Sequence, residues 1–256
     1  MNHAEQVAQV VLKAALDGAR LHYREDQSTS VHDFDLVLSG GVDAVEVTTS
    51  TDPSRRATVA AIMDARKGGQ FVPTHCCRKD WLVHPVSGAN IDLIRRRVDE
   101  YLAAIEVDGL ERFFSPVDAD AHQSVWRIYE DLSIEGGGVL RWNPPGRIGI
   151  STPSGGGVVG AEHFVRAIEH EAIKDDNRRK LRAATARQRH LFVYVDPHAF
   201  LPWIVLIDQD PPATPPSLPE EVDVVWAATE AIGTRDRYVV WQGRSAAPWR
   251  SLGVIP

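Results

Sequence analysis

The sequence predicts an α/β protein with a mixed central sheet flanked by helices. Helical and strand-like segments alternate along the chain, an order typical of α/β proteins. Segment 191–195 is apolar on both faces, as a central strand of a covered sheet is. We expect one domain of 256 residues, with a core at about 1–67 and 161–196, an insertion at about 68–150 and C-terminal strands at about 220–243.

The first elements are predicted from apolar spacing and turn residues. A helix is expected at about 4–16, where apolar residues recur at helical spacing, and a short strand at 21–24. Strands at 31–38 and 42–49 are separated by the turn residues Ser-Gly-Gly at 39–41, which predict a β-hairpin.

The later elements follow from the same patterns. We expect helices at about 52–67, 91–109, 124–132 and 161–189 (the last broken near Asp175), strands at 81–84, 191–195, 222–226 and 238–241, a hairpin of 139–142 with 147–150, and a stiff loop at 211–219, which holds five prolines.

Composition narrows the function classes. The chain has 35 acidic and 28 basic residues and a formal net charge of −7, which argues against a general nucleic-acid coat protein. Its two cysteines, Cys76 and Cys77, are adjacent, so no disulfide framework is expected. No apolar run reaches the roughly 20 residues that span a bilayer. We therefore expect a cytoplasmic protein without a membrane partner.

Acidic residues on the first hairpin are the most informative feature. Alternation places Asp33 and Asp35 on one face of their strand, and Glu46 and Thr48 on one face of the next. Residues paired across two strands lie about 5 Å apart, so the three carboxylates are candidate metal ligands. Such a set suits Mg²⁺, which could activate water and neutralise charge on a phosphoryl group. The alternative is a solvent-facing hairpin whose Glu46 pairs with an arginine.

Asp33, followed after 12 intervening residues by Glu46-Val-Thr48, resembles the motif of the PD-(D/E)xK nuclease superfamily. The preceding helix, and the later helix that leads into a buried strand, also resemble this family's order. The resemblance implies a restriction-endonuclease-like core and metal-dependent hydrolysis of nucleic acid. It implies Asp33 or Asp35, with Glu46, as metal ligands. It also implies an acidic residue from the first helix or the segment after it, for which Glu5 and Glu25 are candidates.

Thr48 stands where the family motif has a lysine, and a hydroxyl carries no positive charge. Some members of the family supply the lysine from a neighbouring helix, and Lys174 or Lys180 could play that part. The departure also leaves open an inactive fold that serves as an interaction module. A third alternative is a small-molecule enzyme that uses the glycine-rich loop 155–160.

A cluster of basic residues follows in the helical segment 178–189. In an otherwise acidic chain, such a patch could bind the phosphates of a nucleic acid. A solvated helix face is the alternative interpretation. The candidate phosphate-binding residues are Arg178, Arg179, Arg182, Arg187 and Arg189.

Overall fold

A computed structural model describes residues 1–24, 31–142, 145–153, 160–208, 210–234 and 236–255. The elements in chain order are α1 (His3–Ala15), β1 (Arg20–Tyr23), β2 (Phe34–Leu38), β3 (Gly41–Ser50), α2 (Pro53–Met63), a 3-10 helix (Ala65–Lys67), β4 (Phe71–Pro73), β5 (Trp81–Pro85), α3 (Ile91–Val107), β6 (Arg112–Phe114), α4 (Ser115–Asp118), α5 (Gln123–Leu132), β7 (Ile134–Val139), β8 (Arg147–Ile150), α6 (Ala161–Ala172), α7 (Asp175–Ala183), β9 (Arg189–Val195), α8 (Phe200–Asp208), β10 (Val224–Glu230), β11 (Tyr238–Arg244) and β12 (Ala247–Ile255).

The chain divides into two compact units, and each has its own sheet. The first unit combines Met1–Thr51 with Gly157–Pro256, and the second is Asp52–Gly156. The predicted insertion began near residue 68, whereas the second unit begins at Asp52 and includes α2. Ile62 of α2 explains the difference, because it is buried in the hydrophobic core of the second unit.

The sheet of the first unit is mixed and has seven strands in the order β1-β2-β3-β9-β10-β11-β12. Strands β3, β9 and β10 are parallel, and the strands on either side of them are antiparallel. Helix α1 packs on one face, and α6, α7 and α8 contribute to the core on the other. The prediction of a mixed sheet flanked by helices is confirmed, and so is the central position of β9.

Alternation along β3 divides its side chains between two cores. Val45 packs into the core that contains α1, and Ala44 into the core that contains Phe164 of α6 and Leu181 of α7. Glu46 and Thr48 have the same parity as Ala44, so they face α6 and α7. Two charged or polar residues therefore interrupt an otherwise apolar layer.

The sheet of the second unit has five strands in the order β4-β8-β5-β7-β6. The predicted hairpin of 139–142 with 147–150 is wrong, because β5 lies between β7 and β8 and pairs with both. Trp81 and Val83 of β5 are fully buried, which explains why β5 takes a central position. Part of the predicted turn, residues 143–144, lies outside the described residues.

Two further predictions are corrected. The predicted break of helix 161–189 near Asp175 is confirmed, because α6 and α7 are separated at residues 173–174, but the helical segment ends at Ala183 and not near residue 189. The sequence patterns also missed β12 and the apolar helix α8. Within the described residues, no helix is both long enough and apolar enough to cross a membrane.

Two carboxylates of α3 fix the loop that precedes β5. Asp99 accepts hydrogen bonds from the backbone N–H groups of His75, Cys76 and Cys77 at 2.8, 2.7 and 3.0 Å. Despite partial burial, these bonds hold the pKa of Asp99 at about 2. Glu106 accepts hydrogen bonds from the backbone N–H groups of Arg78 and Lys79, both at 2.9 Å. The loop therefore depends on charged acceptors in α3.

We expect Asp99→Asn to lower the free energy of unfolding by on the order of 2 kcal/mol, because bonds to a charged acceptor are replaced by weaker ones. Urea unfolding followed by circular dichroism measures the change. The exposed Asp120→Asn variant is the matched control in the same unit. Equal stability of the two variants would contradict the role given to Asp99.

Candidate active site

The register of the first hairpin decides which acidic residue lies opposite Glu46. Asp35 pairs with Ala44, and Phe34 with Val45, so Asp33 falls opposite Glu46. The carboxylate of Asp33 is fixed there, because the backbone N–H of Val47 donates to its Oδ2 at 2.7 Å. The two carboxylates are therefore neighbours on the face of the sheet that α6 and α7 cover.

A lysine from α7 completes this pair. The Lys180 ammonium lies 2.8 Å from Glu46 Oε1 and 3.3 Å from Asp176 Oδ2. The side chain of Glu46 is 2% exposed and that of Lys180 19% exposed, so the hydrogen bond between them is largely shielded from water. Burial alone would lower the pKa of Lys180, but the hydrogen bond and the charge of Glu46 raise it. Lys180 therefore remains a cation at neutral pH.

Glu46 itself holds its proton more tightly than an ordinary carboxyl group. Burial, followed by the charge of Asp33, raises the pKa of Glu46 from 4.5 to about 8 although Lys180 opposes the change. Burial also raises the pKa of Asp33, against the opposing hydrogen bond from Val47. In the described part of the chain, Glu46 Oε2 is buried without a hydrogen-bond partner.

Asp35 belongs to a different set of contacts. Its carboxylate lies 2.7 Å from His32 Nε2 and 3.0 Å from Arg24 Nη1. Burial works against ionisation, but these two hydrogen bonds lower the pKa of Asp35. Among the described residues, no three His, Cys, Asp or Glu side chains are arranged as a metal site. The acids brought together on the hairpin are Asp33 and Glu46.

Thr48 contacts a second acid and a second lysine. Its hydroxyl donates to Glu171 Oε2 at 3.0 Å. The Lys174 ammonium donates to both oxygens of Glu171, at 2.7 and 2.6 Å. The two predicted lysines thus occupy different places: Lys180 is at Glu46, and Lys174 is at Glu171 beside Thr48.

Glu171 is the functional candidate that sequence reasoning missed. It is a buried carboxylate on α6, seven residues after Phe164 and three after Ile168, both of which are fully buried. The signal in the sequence is an acidic residue at a position that continues the apolar stripe of the helix.

The first helix contributes one acid near the site. Glu5 forms a capping box with Asn2, whose backbone N–H donates to Glu5 Oε2 at 2.7 Å. The charge of Glu5 is among the smaller causes that raise the pKa of Asp33, after burial. The alternative candidate, Glu25, and most of the glycine-rich loop at 155–160 lie outside the described residues.

Each candidate phosphate-binding arginine has an acidic partner. Arg178 and Arg182 pair with Glu221, Arg179 with Asp176, Arg187 with Asp43, and Arg189 with Asp223. The five arginines share four acids, so much of the positive charge of this segment is offset locally. Its binding to phosphates stays a prediction.

The raised pKa of Glu46 predicts a particular dependence of stability on pH. Between its ordinary pKa of 4.5 and about 8, the folded state holds a proton that the unfolded state has lost. The wild-type protein should therefore lose stability as pH rises through this window, whereas Glu46→Gln should not. From the lower to the upper end of this window, we expect the unfolding free energy of the wild-type protein to fall by on the order of 1 kcal/mol or more relative to that of Glu46→Gln. Urea unfolding at both ends of the window measures it, and parallel pH profiles would contradict the assignment.

Comparison of the chain with protein-family models, with curated proteins and with solved structures found no match. We therefore infer the function from the arrangement of Asp33, Glu46, Thr48 and the two lysines.

Proposed function

We propose that the protein is a metal-dependent phosphodiesterase of the PD-(D/E)xK type that acts on nucleic acid. The observation that carries the proposal is the Lys180 ammonium 2.8 Å from the buried Glu46 carboxylate. Glu46 stands opposite Asp33, so two acids and a lysine from three separate elements meet at one place. Strongly shifted pKa values at such a cluster are typical of functional sites.

The element order of the first unit supports the same proposal. Helix α1 is followed by the antiparallel strands β1–β3, then by α6 and α7, and then by β9, which is parallel to β3. This order agrees with the one expected of a restriction-endonuclease-like core. The lysine that the motif lacks at Thr48 is supplied, in this proposal, by Lys180 of α7.

The donor set fits a hard divalent cation. Mg²⁺ is bound in proteins by one or two carboxylates together with waters and substrate phosphates. Asp33 and Glu46 would hold the ion, and the buried Glu46 Oε2 has no other partner in the described chain. When bound, such an ion polarises the phosphoryl group and lowers the pKa of a coordinated water.

The remaining chemistry belongs to Lys180. Because its pKa is raised, the side chain is a charged hydrogen-bond donor and not a general base. A buried ammonium beside the reacting phosphate would orient the attacking water and stabilise the negative charge that develops on the phosphoryl oxygens. Asp176 limits the positions that Lys180 Nζ can take, because the Asp176 carboxylate forms an ion pair with the same ammonium group.

We expect the wild-type protein to cleave plasmid, single-stranded DNA or RNA only in the presence of Mg²⁺ or Mn²⁺. Lys180→Gln should lower kcat about a hundredfold or more, as loss of one transition-state donor does. Glu46→Ala should abolish cleavage. Lys13→Gln, an equal charge change on the exposed side of α1, is the control. Metal-dependent cleavage that persists in Glu46→Ala would overturn the assigned chemistry.

Metal binding distinguishes an active nuclease from an inactive interaction module. The threonine at the lysine position, Thr48, favours the module. Calorimetry with Mn²⁺ should show binding that strengthens as pH rises toward about 8, because Glu46 must lose its proton to act as a ligand. Glu46→Gln should lose both the binding and its pH dependence. Absence of binding at millimolar Mn²⁺, with or without DNA, would favour the module.

A further inference from the structure

A second lysine stands next to the proposed catalytic position without contacting it. Thr48 follows Glu46 by two residues on the same face of β3, a displacement of about 7 Å along the strand. At this second position the Lys174 ammonium is bound to Glu171, which also accepts from Thr48. The two lysines thus mark two neighbouring positions along one strand.

Lys174 has a donor to spare. An ammonium group carries three N–H donors, and the two oxygens of Glu171 account for two of them. The side chain of Lys174 is 43% exposed, whereas that of Glu171 is 5% exposed. The group that can reach a ligand in solvent is therefore the lysine, and Glu171 holds it in place.

The setting of Glu171 keeps the ammonium at this position. Glu171 is itself anchored by the Thr48 hydroxyl, and Asn177 Nδ2 donates to its backbone carbonyl at 2.9 Å. A side chain held in place before binding loses less conformational freedom when a ligand arrives. The phosphate-binding candidates Arg178 and Arg182 share the single acid Glu221, and no contact joins them to Glu46, Thr48 or Glu171 among the hydrogen bonds of the described residues.

We propose that Lys174 binds the phosphate adjacent to the scissile one in a polynucleotide substrate, with Glu171 as its positioning residue. This inference rests on the proposed function, because the scissile phosphate is assigned to Asp33, Glu46 and Lys180. It defines the substrate class: a chain with consecutive phosphates should bind better than an isolated phosphodiester.

Two substrates test the inference in the presence of Mn²⁺. One is a single-stranded oligodeoxynucleotide, and the other is bis(p-nitrophenyl) phosphate, which has one phosphodiester and no neighbouring phosphate. Lys174→Gln should raise KM for the oligonucleotide about tenfold with kcat unchanged, since one charged hydrogen bond is lost. It should leave hydrolysis of the small ester unchanged. Lys174→Arg should keep the wild-type KM, and Lys13→Gln is the charge-matched control.

Salt dependence gives a second readout that a purely structural role would not move. Loss of one phosphate contact should make the slope of log(kcat/KM) for the oligonucleotide against log[salt] less steep by about 0.7. An equal effect of Lys174→Gln on both substrates, or no effect on either, would overturn the inference while the proposed function stood. A wild-type protein that cleaves neither substrate with any divalent metal would overturn both.

Discussion

The buried contact between Glu46 and Lys180 is the constraint around which the proposed site is arranged. Burying ionisable groups is costly, since removing a charge from water costs several kcal/mol, and an apolar pair of similar volume would often be as stable. Here burial is relieved in part by the proton that Glu46 retains up to a pKa of about 8. In the proposal, the two ionisable groups are kept beside the buried Phe164 and Leu181 for their chemistry and not for stability.

The break between α6 and α7 lets Lys180 reach Glu46 of β3 while Lys174 stays bound to Glu171, which contacts Thr48 of β3. Positions 174 and 180 are six residues apart, which in a continuous helix at 100° per residue would place them about 120° apart around the axis, on different faces. The chain leaves the helical conformation at Lys174, with φ −58° and ψ 130°, and α7 then begins at Asp175. The interruption that the sequence suggested near Asp175 therefore has a structural consequence: it sets two ammonium groups along one strand.

The sequence was sufficient for the parts of the site that depend on strand periodicity. Alternation placed the acids on one face, and the apolar run of β9 indicated a central strand. The choice of Asp33 over Asp35 as the partner of Glu46 depends on the turn, in which Leu38 pairs with Gly41 across a two-residue connection. A turn of two residues, 39 and 40, gives this register directly. The choice between the lysines, and the role of Glu171, depend on the direction of α7 and on packing between distant segments, which no local pattern records.

Charge counting did not reveal the acidic partners of the arginines, for a related reason. A count records where positive residues crowd together, but Glu221 and Asp223 lie more than thirty residues from the arginines that they neutralise. At the proposed site the acids outnumber the lysines: Asp33, Glu46, Glu171 and Asp176 stand beside Lys174 and Lys180, and Glu46 adds a negative charge once it loses its proton. Such a site repels a polyanion until a cation joins it. If the ion and the nucleic acid meet here, each must strengthen the binding of the other by the same factor, because coupling between two ligands is reciprocal.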